Sequence, residues 1–413
     1  MEDPVVGHCL RTGLGLRSGI TAKPASVDND RMRTSYGIVT RPVAGPRDMK
    51  AFIRFPSSLY ASDPCWVPPI WAAERTAYLP GRNAVLDRSD HAILAAWSGD
   101  GIVGRIVAYV DPRFNDHFGT RTGFFGSFEC VDDPAVSAAL FAAAETWFAA
   151  RGVDRVRGPI NPVAECWGLL VDGFDAPPVY LSPYNPPYYG ALAEAAGYGR
   201  VKDLLVYEAD TAKGYEIPER FRRFETMLAV RRPSLTTRTI DPRHIDRDAE
   251  YIRSILNAGV DGNWGYVPVE RDEMAAVVRD LKPILDPAAV WFVEDDGVPV
   301  ACCLGFPDVN VILEEIGGRL FPTGALRLLF GARRLHDYRL WGLAVLPKYQ
   351  GLGLDVLMYL RLSDALARRG VRMEANYILE DNLRIRNALE KLGMSRIKTY
   401  RVYEKALRAI DAS

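Results

Sequence analysis

Two stretches of this chain place reactive or charge-handling groups where an apolar sheet has no use for them. The first is Gln350-Gly351-Leu352-Gly353-Leu354-Asp355, between the apolar run 340–346 and a helical repeat of Leu352, Val356, Tyr359, Leu360 and Leu366. A strand, a glycine turn and a helix start together suit an anion. Glycine lets the backbone approach closely, and first-turn N–H groups lack intrahelical partners and carry the positive end of the helix dipole. Gln350, Gly351, Leu352, Gly353 and Leu354 are therefore expected to cradle a phosphate, although a plain strand-to-helix turn would read the same way. The second stretch is Val371-Arg372-Met373-Glu374-Ala375-Asn376-Tyr377, whose strand-like alternation puts Arg372, Glu374 and Asn376 on one face. A carboxylate and an amide there need partners, and Arg372 is one available to Glu374.

The elements that position these groups come from a duplication. Asp63-x-x-Trp66 matches Asp261-x-x-Trp264, Phe52-Ile53-Arg54 matches Tyr251-Ile252-Arg253, and Val206-Tyr207-Glu208 matches Val402-Tyr403-Glu404. Gly126 pairs with Gly342, and Arg151-Gly152-Val153 with Arg369-Gly370-Val371, across one insertion. Gly99-Asp100-Gly101 and Asp295-Asp296-Gly297 each read as a hairpin turn between apolar runs. The second half is expected to run as strand 234–240, helices 246–285, hairpin 289–306, strand 339–346, helix 352–369, strand 371–379, helix 383–392 and strand 396–404. The fold class is thus α/β with a mixed sheet, in two tandem units packed as a pseudo-twofold pair. The first unit spans 36–210, a connector 211–233, and the second 234–413 with the insertion at 311–338. Residues 1–35, rich in Gly, Arg, Ser and Asp, are expected to be a mobile tail.

With Lys+Arg 51 against Asp+Glu 52 there is no global basic field to hold nucleic acid, so no nucleic-acid partner is expected. Six cysteines without a C-x-x-C pair, and five scattered histidines, give no zinc spacing, so no metal is expected. Neither a signal-peptide core nor a run of roughly 18 apolar residues is present, which points to a cytoplasmic protein.

The loop at 350–355 resembles the pyrophosphate loop of the GNAT acyltransferase superfamily, Gln/Arg-x-x-Gly-x-Gly/Ala, and departs from it at Asp355. The family's second signature looks like Asn382 through Glu390-Lys391-Leu392-Gly393-Met394, with Leu389 where many members carry a general-acid Tyr. The strings Leu59 to Pro69, Gly123 to Glu129 and Tyr184 to Tyr189 are similar to those of a bacterial subgroup of tandem members that includes ceramide-forming enzymes. The resemblance covers most of the chain. It implies two tandem GNAT-like domains, acyl-CoA as co-substrate, and direct attack of an amine on the thioester.

Residue by residue, it implies that backbone groups of Leu343 and Val345 bind the pantetheine arm, the Val345 N–H facing the oxyanion, and that Asn382 joins the cofactor site. Glu374 becomes the candidate general base, Asn376 a positioning group and Glu380 the reserve base. Asn263, Trp264 and Tyr266, lying between Gly262 and Gly265 or just beyond, are candidates for the acceptor wall, a plain loop plug being the alternative. Glu129 and Glu165 are polar residues in apolar first-half sequence, expected either to reach a shared pocket or to be buried structural carboxylates. In place of a phosphate loop the first half has Cys130-Val131-Asp132-Asp133-Pro134, whose two carboxylates would repel pyrophosphate, so one acyl-CoA per chain is expected.

The insertion segment 317–335 holds four arginines among Leu and Phe and no acid, which suits either peripheral contact with the inner face of a membrane or an amphipathic lid. The function expected is an acyl-CoA-dependent N-acyltransferase acting on a hydrophobic amine such as a sphingoid base. A small-metabolite N-acetyltransferase, a non-catalytic acyl-CoA sensor and an aminoacyl-tRNA-dependent transferase are the alternatives.

Overall fold

In the computed structural model, which describes residues 37–163 and 166–407, thirteen strands form one mixed sheet. They are β1 (Ile38–Pro42), β2 (Asp90–Ser98), β3 (Gly101–Val110), β4 (Thr122–Cys130), β5 (Arg155–Gly158), β6 (Leu169–Asp172) and β7 (Gly199–Asp210). After them come β8 (Leu235–Thr239), β9 (Val290–Asp295), β10 (Val298–Pro307), β11 (Asp337–Val345), β12 (Arg372–Leu379) and β13 (Ser395–Ala406). The tail expected over 1–35, and Glu165, lie outside the described residues.

Period-two alternation decides which face each side chain buries. On β2 and β3, Leu94, Ala96, Ile106 and Ala108 pack under the helix Pro134–Ala149, while Ala95, Trp97, Val107 and Tyr109 pack with Phe52 and Ile53 of the helix Gly45–Leu59. The second half repeats this. Val293, Ala301 and Cys303 meet the helix Leu354–Leu366, and Phe292, Cys302 and Ala344 meet the helix Ile245–Gly259. Because helices cover both faces, the strands read as nearly continuous apolar runs.

The strand order β1-β2-β3-β4-β5-β13-β7-β12-β11-β10-β9-β8 is a palindrome of the two repeats about the β13–β7 pair. Each repeat gives its closing strand to the other: β7 pairs with β12, β13 pairs with β5, and the two pair with each other. Neither half completes its sheet alone. Matching positive-φ glycines mark the same duplication, Gly152 at 69° with Gly370 at 67°, and Gly197 with Gly393 at 86° each.

The connector is itself structural. Its helix Glu219–Arg231 lies along the helix Leu354–Leu366 through the pairs Arg222–Asp364 and Arg361–Glu225. The insertion forms helices Asn310–Glu315 and Gly324–Gly331 and leans on the first half, where Trp71 donates its backbone N–H to Gly318 and its indole N–H to Gly317.

Asp308, at the root of the insertion, accepts the Tyr180 N–H at 2.8 Å and the Asn310 N–H at 3.1 Å, while Asn310 donates to the Pro178 carbonyl. Burial pushes the Asp308 carboxyl up to about 7 despite those two donors. Between about pH 4 and 7 the folded protein therefore keeps a proton that the unfolded chain has lost. Stability falls across that window by up to about 1.4 kcal/mol per pH unit. Asp308→Asn, which keeps an acceptor for both amides, is expected to flatten the fall, read as the urea midpoint at pH 5, 6 and 7.

Candidate active site

The site begins where the sheet parts. β11 and β12 run parallel and pair from Asp337↔Arg372 to Leu340↔Ala375, then diverge. An extra residue in each strand sits at the parting. Trp341 is inserted in β11 opposite Leu304 and Gly305, and Asn376 and Tyr377 of β12 together face the stretch of β7 between Tyr207 and Leu205. Such bulges bend a strand and re-aim side chains. Between the strands lies a cleft of about 370 Å³ lined by residues 340–345 of β11 and 375–379 of β12, with Leu256, Gly259 and Val260 along one wall. Backbone groups on the facing edges have lost their strand partners and are available to an extended ligand.

At one end of the cleft is the glycine loop. Gly351 and Gly353 hold φ of 84° and 78°, and Gly353 is the N-cap of the helix Leu354–Leu366. Among the described residues the amides of Gly351, Gly353 and Leu354 donate to no acceptor. A Cβ on Gly353 would overlap the ring of Phe224, so the connector helix fixes the underside of this loop. The Gln350 side chain bridges the Gly259 carbonyl at 3.3 Å and the Val345 carbonyl at 3.2 Å, and Arg384 donates to its oxygen. Gly259 is needed for that approach, because a Cβ there would stand 2.8 Å from the Val345 oxygen. The loop thus presents free amides, with Arg384 beside them, to an anion at the mouth of the cleft.

Several expected residues meet here. Leu343, Val345, Gln350, Asn376, Asn382 and Asn263 all line the cleft, and Leu352 sits in the loop beside Gln350. Asn382 also caps the helix Leu383–Lys391 by accepting the Ile385 N–H at 3.2 Å. Asn376 is held at both ends, its oxygen by Arg339 and its nitrogen by the Ser182 hydroxyl at 3.1 Å.

Others are elsewhere. Glu374 is fully buried and does not line the cleft. Its Oε1 is 2.8 Å from Arg372 and 3.4 Å from the buried Lys398, so in this structure it is their counter-charge. Glu374 and Asn376 do share a face, because Arg339, paired opposite Glu374, donates to the Asn376 oxygen; the bulge at Asn376 and Tyr377 comes just beyond. Glu380 ties β12 to β7 by pairing with Arg200 and accepting the Asp203 N–H. Glu129 is buried in the first half, where it accepts from Tyr60 at 2.5 Å and Tyr189 at 2.8 Å, and burial raises its carboxyl against the pull of Arg105. It does not line this cleft. Tyr266 donates to Asn257 at 2.6 Å and pins its own loop, with burial pushing its hydroxyl up to about 12. Trp264 packs edge to face on Trp167 with Arg157 4.7 Å from its ring, joining the two halves beside the cleft rather than lining it.

Tyr377, Trp341 and Arg384 were not singled out from the sequence as site residues. Tyr377 lines the cleft just beyond the last β11–β12 pair. Its hydroxyl accepts the Trp167 N–H at 3.4 Å, and burial holds its pKa well above that of a free tyrosine. Asp355, the departure noted in the loop, is the one carboxylate lining the cleft among the described residues. Leu389, at the expected general-acid position, is core.

The first half has the same parting, but closed. β4 and β5 pair only from Thr122↔Arg155 to Phe124↔Arg157. The chain after β5 then turns into the gap, with the Ile160 N–H donating to Phe125 at 2.8 Å and the Ile160 oxygen 2.6 Å from where a Cβ on Gly126 would be. Three residues connect β4 to its helix, and the Asp133 carboxylate already caps that helix by accepting the Ala135 N–H.

Comparison with known proteins agrees with this geometry. The model of the acetyltransferase (GNAT) family matches residues 260–394, which take in the cleft and its loop. Over its length the chain is similar to protein YghO of Escherichia coli (strain K12), 34% identical across 90% of this chain and 96% of that one. It is also similar to a bacterial ceramide synthase of Caulobacter vibrioides (strain NA1000 / CB15N), 35% identical across 91% of this chain and 99% of that one. Among solved structures, a tandem GNAT protein from the clavulanic acid biosynthesis pathway shares the fold, with a TM-score of 0.54 at 11% identity over 90% of this chain and 98% of that one.

Gly353→Ala should force the loop off Phe224 and raise the dissociation constant for CoA about tenfold, the loss of roughly one hydrogen bond to a charged oxygen. Asp132→Gly should leave it unchanged. Isothermal titration of both variants checks the pair of outcomes.

Proposed function

The chain belongs to the GNAT acetyltransferase family, and from that premise we propose that it is an acyl-CoA-dependent N-acyltransferase whose acceptor is the amine of a long-chain lipid such as a sphingoid base. The observation that carries the reading is the open parting of β11 and β12, with free amides at Gly351, Gly353 and Leu354 beyond its end. On this reading residues 36–210 are a degenerate unit and 234–413 the unit that binds acyl-CoA. Pyrophosphate lies on the loop, with Arg384 as its nearest cation. The pantetheine arm runs back along β11 past Val345 and Leu343. The ceramide synthase of Caulobacter vibrioides supplies the acceptor class by its name.

The chemistry then follows from placement. The thioester carbonyl comes to rest between β11 and the bulge at Asn376 and Tyr377, where an unpaired strand N–H can bind the developing oxyanion. An amine arriving beside Asn263 attacks, and its proton leaves to water, since Asp355 at the loop is the one carboxylate lining the cleft among the described residues. Collapse expels the CoA thiolate, which regains through water the proton the amine released, and Tyr377, whose hydroxyl burial keeps protonated, donates a hydrogen bond to the leaving sulfur.

The insertion supports a lipid acceptor. Phe321 is 89% exposed and Phe330 67%, with Leu326, Leu329, Arg319 and Arg327 on the same segment, an arrangement suited to resting on an anionic bilayer. No helix among the described residues is long and apolar enough to cross one. We place the protein in the cytoplasm, on the inner face of the membrane.

Mass spectrometry of products formed from palmitoyl-CoA or acetyl-CoA with sphinganine or a polyamine tests the reading, which expects N-palmitoylsphinganine. Acetylated polyamine alone would replace it with a small-metabolite acetyltransferase. Tyr377→Phe should lower kcat about a hundredfold with the KM for acyl-CoA unchanged.

A further inference from the structure

A second cavity lies directly behind the cleft. It is enclosed by Ala249 and Ile252 of the helix Ile245–Gly259, Met274 and Val278 of the helix Arg271–Leu281, and Leu304 and Trp341 of the sheet, and its lining is almost wholly apolar. Trp341 lines both spaces. It does so because it is the inserted residue of β11, half-buried, at the level where β11 leaves β12. The cavity holds about 70 Å³, room for two or three methylene-sized groups at roughly 30 Å³ each. Its lining includes Leu281 and Phe306, the latter 6.3 Å from Trp341, and these pack in one cluster with Leu328 of the insertion.

We infer that this cavity is the acyl-tail pocket of the donor and that Trp341 is its gate. The inference rests on the N-acyltransferase reading and adds the substrate class that the site selects. An arm anchored at Gly353 and laid along β11 from Val345 to Trp341 covers four residue steps, roughly 13 Å at strand rise, and delivers its thioester to the face of Trp341. An acetyl group would end there. A longer chain has the apolar cavity in front of it and polar cleft behind, and burial of each further methylene favours the cavity. Moving the Trp341 side chain enlarges the pocket on its Phe306 side, next to the cluster that reaches Leu328 of the insertion, the part of the molecule that presents Phe321 and Phe330 outward.

The test is a chain-length series, acetyl-, butyryl-, octanoyl- and palmitoyl-CoA, assayed with one fixed amine on wild type, Ala249→Leu and Val278→Phe. Both substitutions fill the cavity from helices away from the reacting atoms, and the melting temperature identifies a variant that has not folded. Wild type should gain several-fold in kcat/KM from acetyl to butyryl, whose two extra carbons fit the cavity, and further with octanoyl as Trp341 moves aside. A folded filling variant should lose that gain while keeping its acetyl rate, and Trp341→Ala should shift the optimum to longer chains. Filling variants that slow every donor equally would overturn the assignment, as would variants whose donor profile is unchanged but whose preference among amines of different alkyl length has moved, since the cavity would then hold the acceptor's tail. Wild type that binds no acyl-CoA of any length would overturn the N-acyltransferase reading itself and this inference with it, a result separate from a flat chain-length profile.

Discussion

A sheet that stops pairing in its middle leaves backbone donors and acceptors stranded, and the rest of this molecule is arranged around that parting of β11 from β12. Unpaired strand edges inside a protein are costly unless something else takes their hydrogen bonds. Here a cleft is kept open between them, walled by the end of the helix Ile245–Gly259 and bridged at its mouth by Gln350. The parting persists because β12 does not rely on β11 alone. It is held along its other edge by β7, a strand supplied by the other half of the chain, and β7 is held in turn by β13.

Exchange of the closing strands therefore links fold to function. Each repeat needs the other's last strand, so the duplication is bound into one sheet, and the first half braces the second half's site, with Trp167 bonded to Tyr377, Ser182 to Asn376 and the carbonyls of Tyr180 and Leu181 to Arg339. The same parting occurs twice with opposite fates. Around β4 and β5 the chain fills it with Ile160 and buries Glu129, Arg105, Tyr60 and Tyr189 nearby, while a carboxylate caps the helix where a phosphate would have to sit. One repeat has kept the cleft and the other has been turned into scaffold.

Much of this was legible in the residues. Repeats offset by a nearly constant interval gave the two units, Asp296 and Gly297 marked a turn with φ of 49° and 78°, and the glycine loop stood out because its spacing has a physical purpose. What escaped the sequence depended on bulges and on pairing between distant strands. Alternation put Glu374 beside Asn376, and both do share the face of Arg339, but one extra residue in β12 brings Tyr377 to the cleft with Asn376, while Glu374 is taken up by Arg372 and Lys398. No local pattern announces such a bulge. Nor does one show that Phe224, in what reads as a connector, lies under Gly353.

The central claim is that a single open parting, in the second half, binds the acyl carrier. The most direct measurement is the stoichiometry of CoA binding to the full chain by isothermal titration. One site per chain, lost when the loop at 351–354 is replaced by a four-residue segment bearing two carboxylates, is the predicted result. Two sites per chain, or one site indifferent to that replacement, would contradict the account.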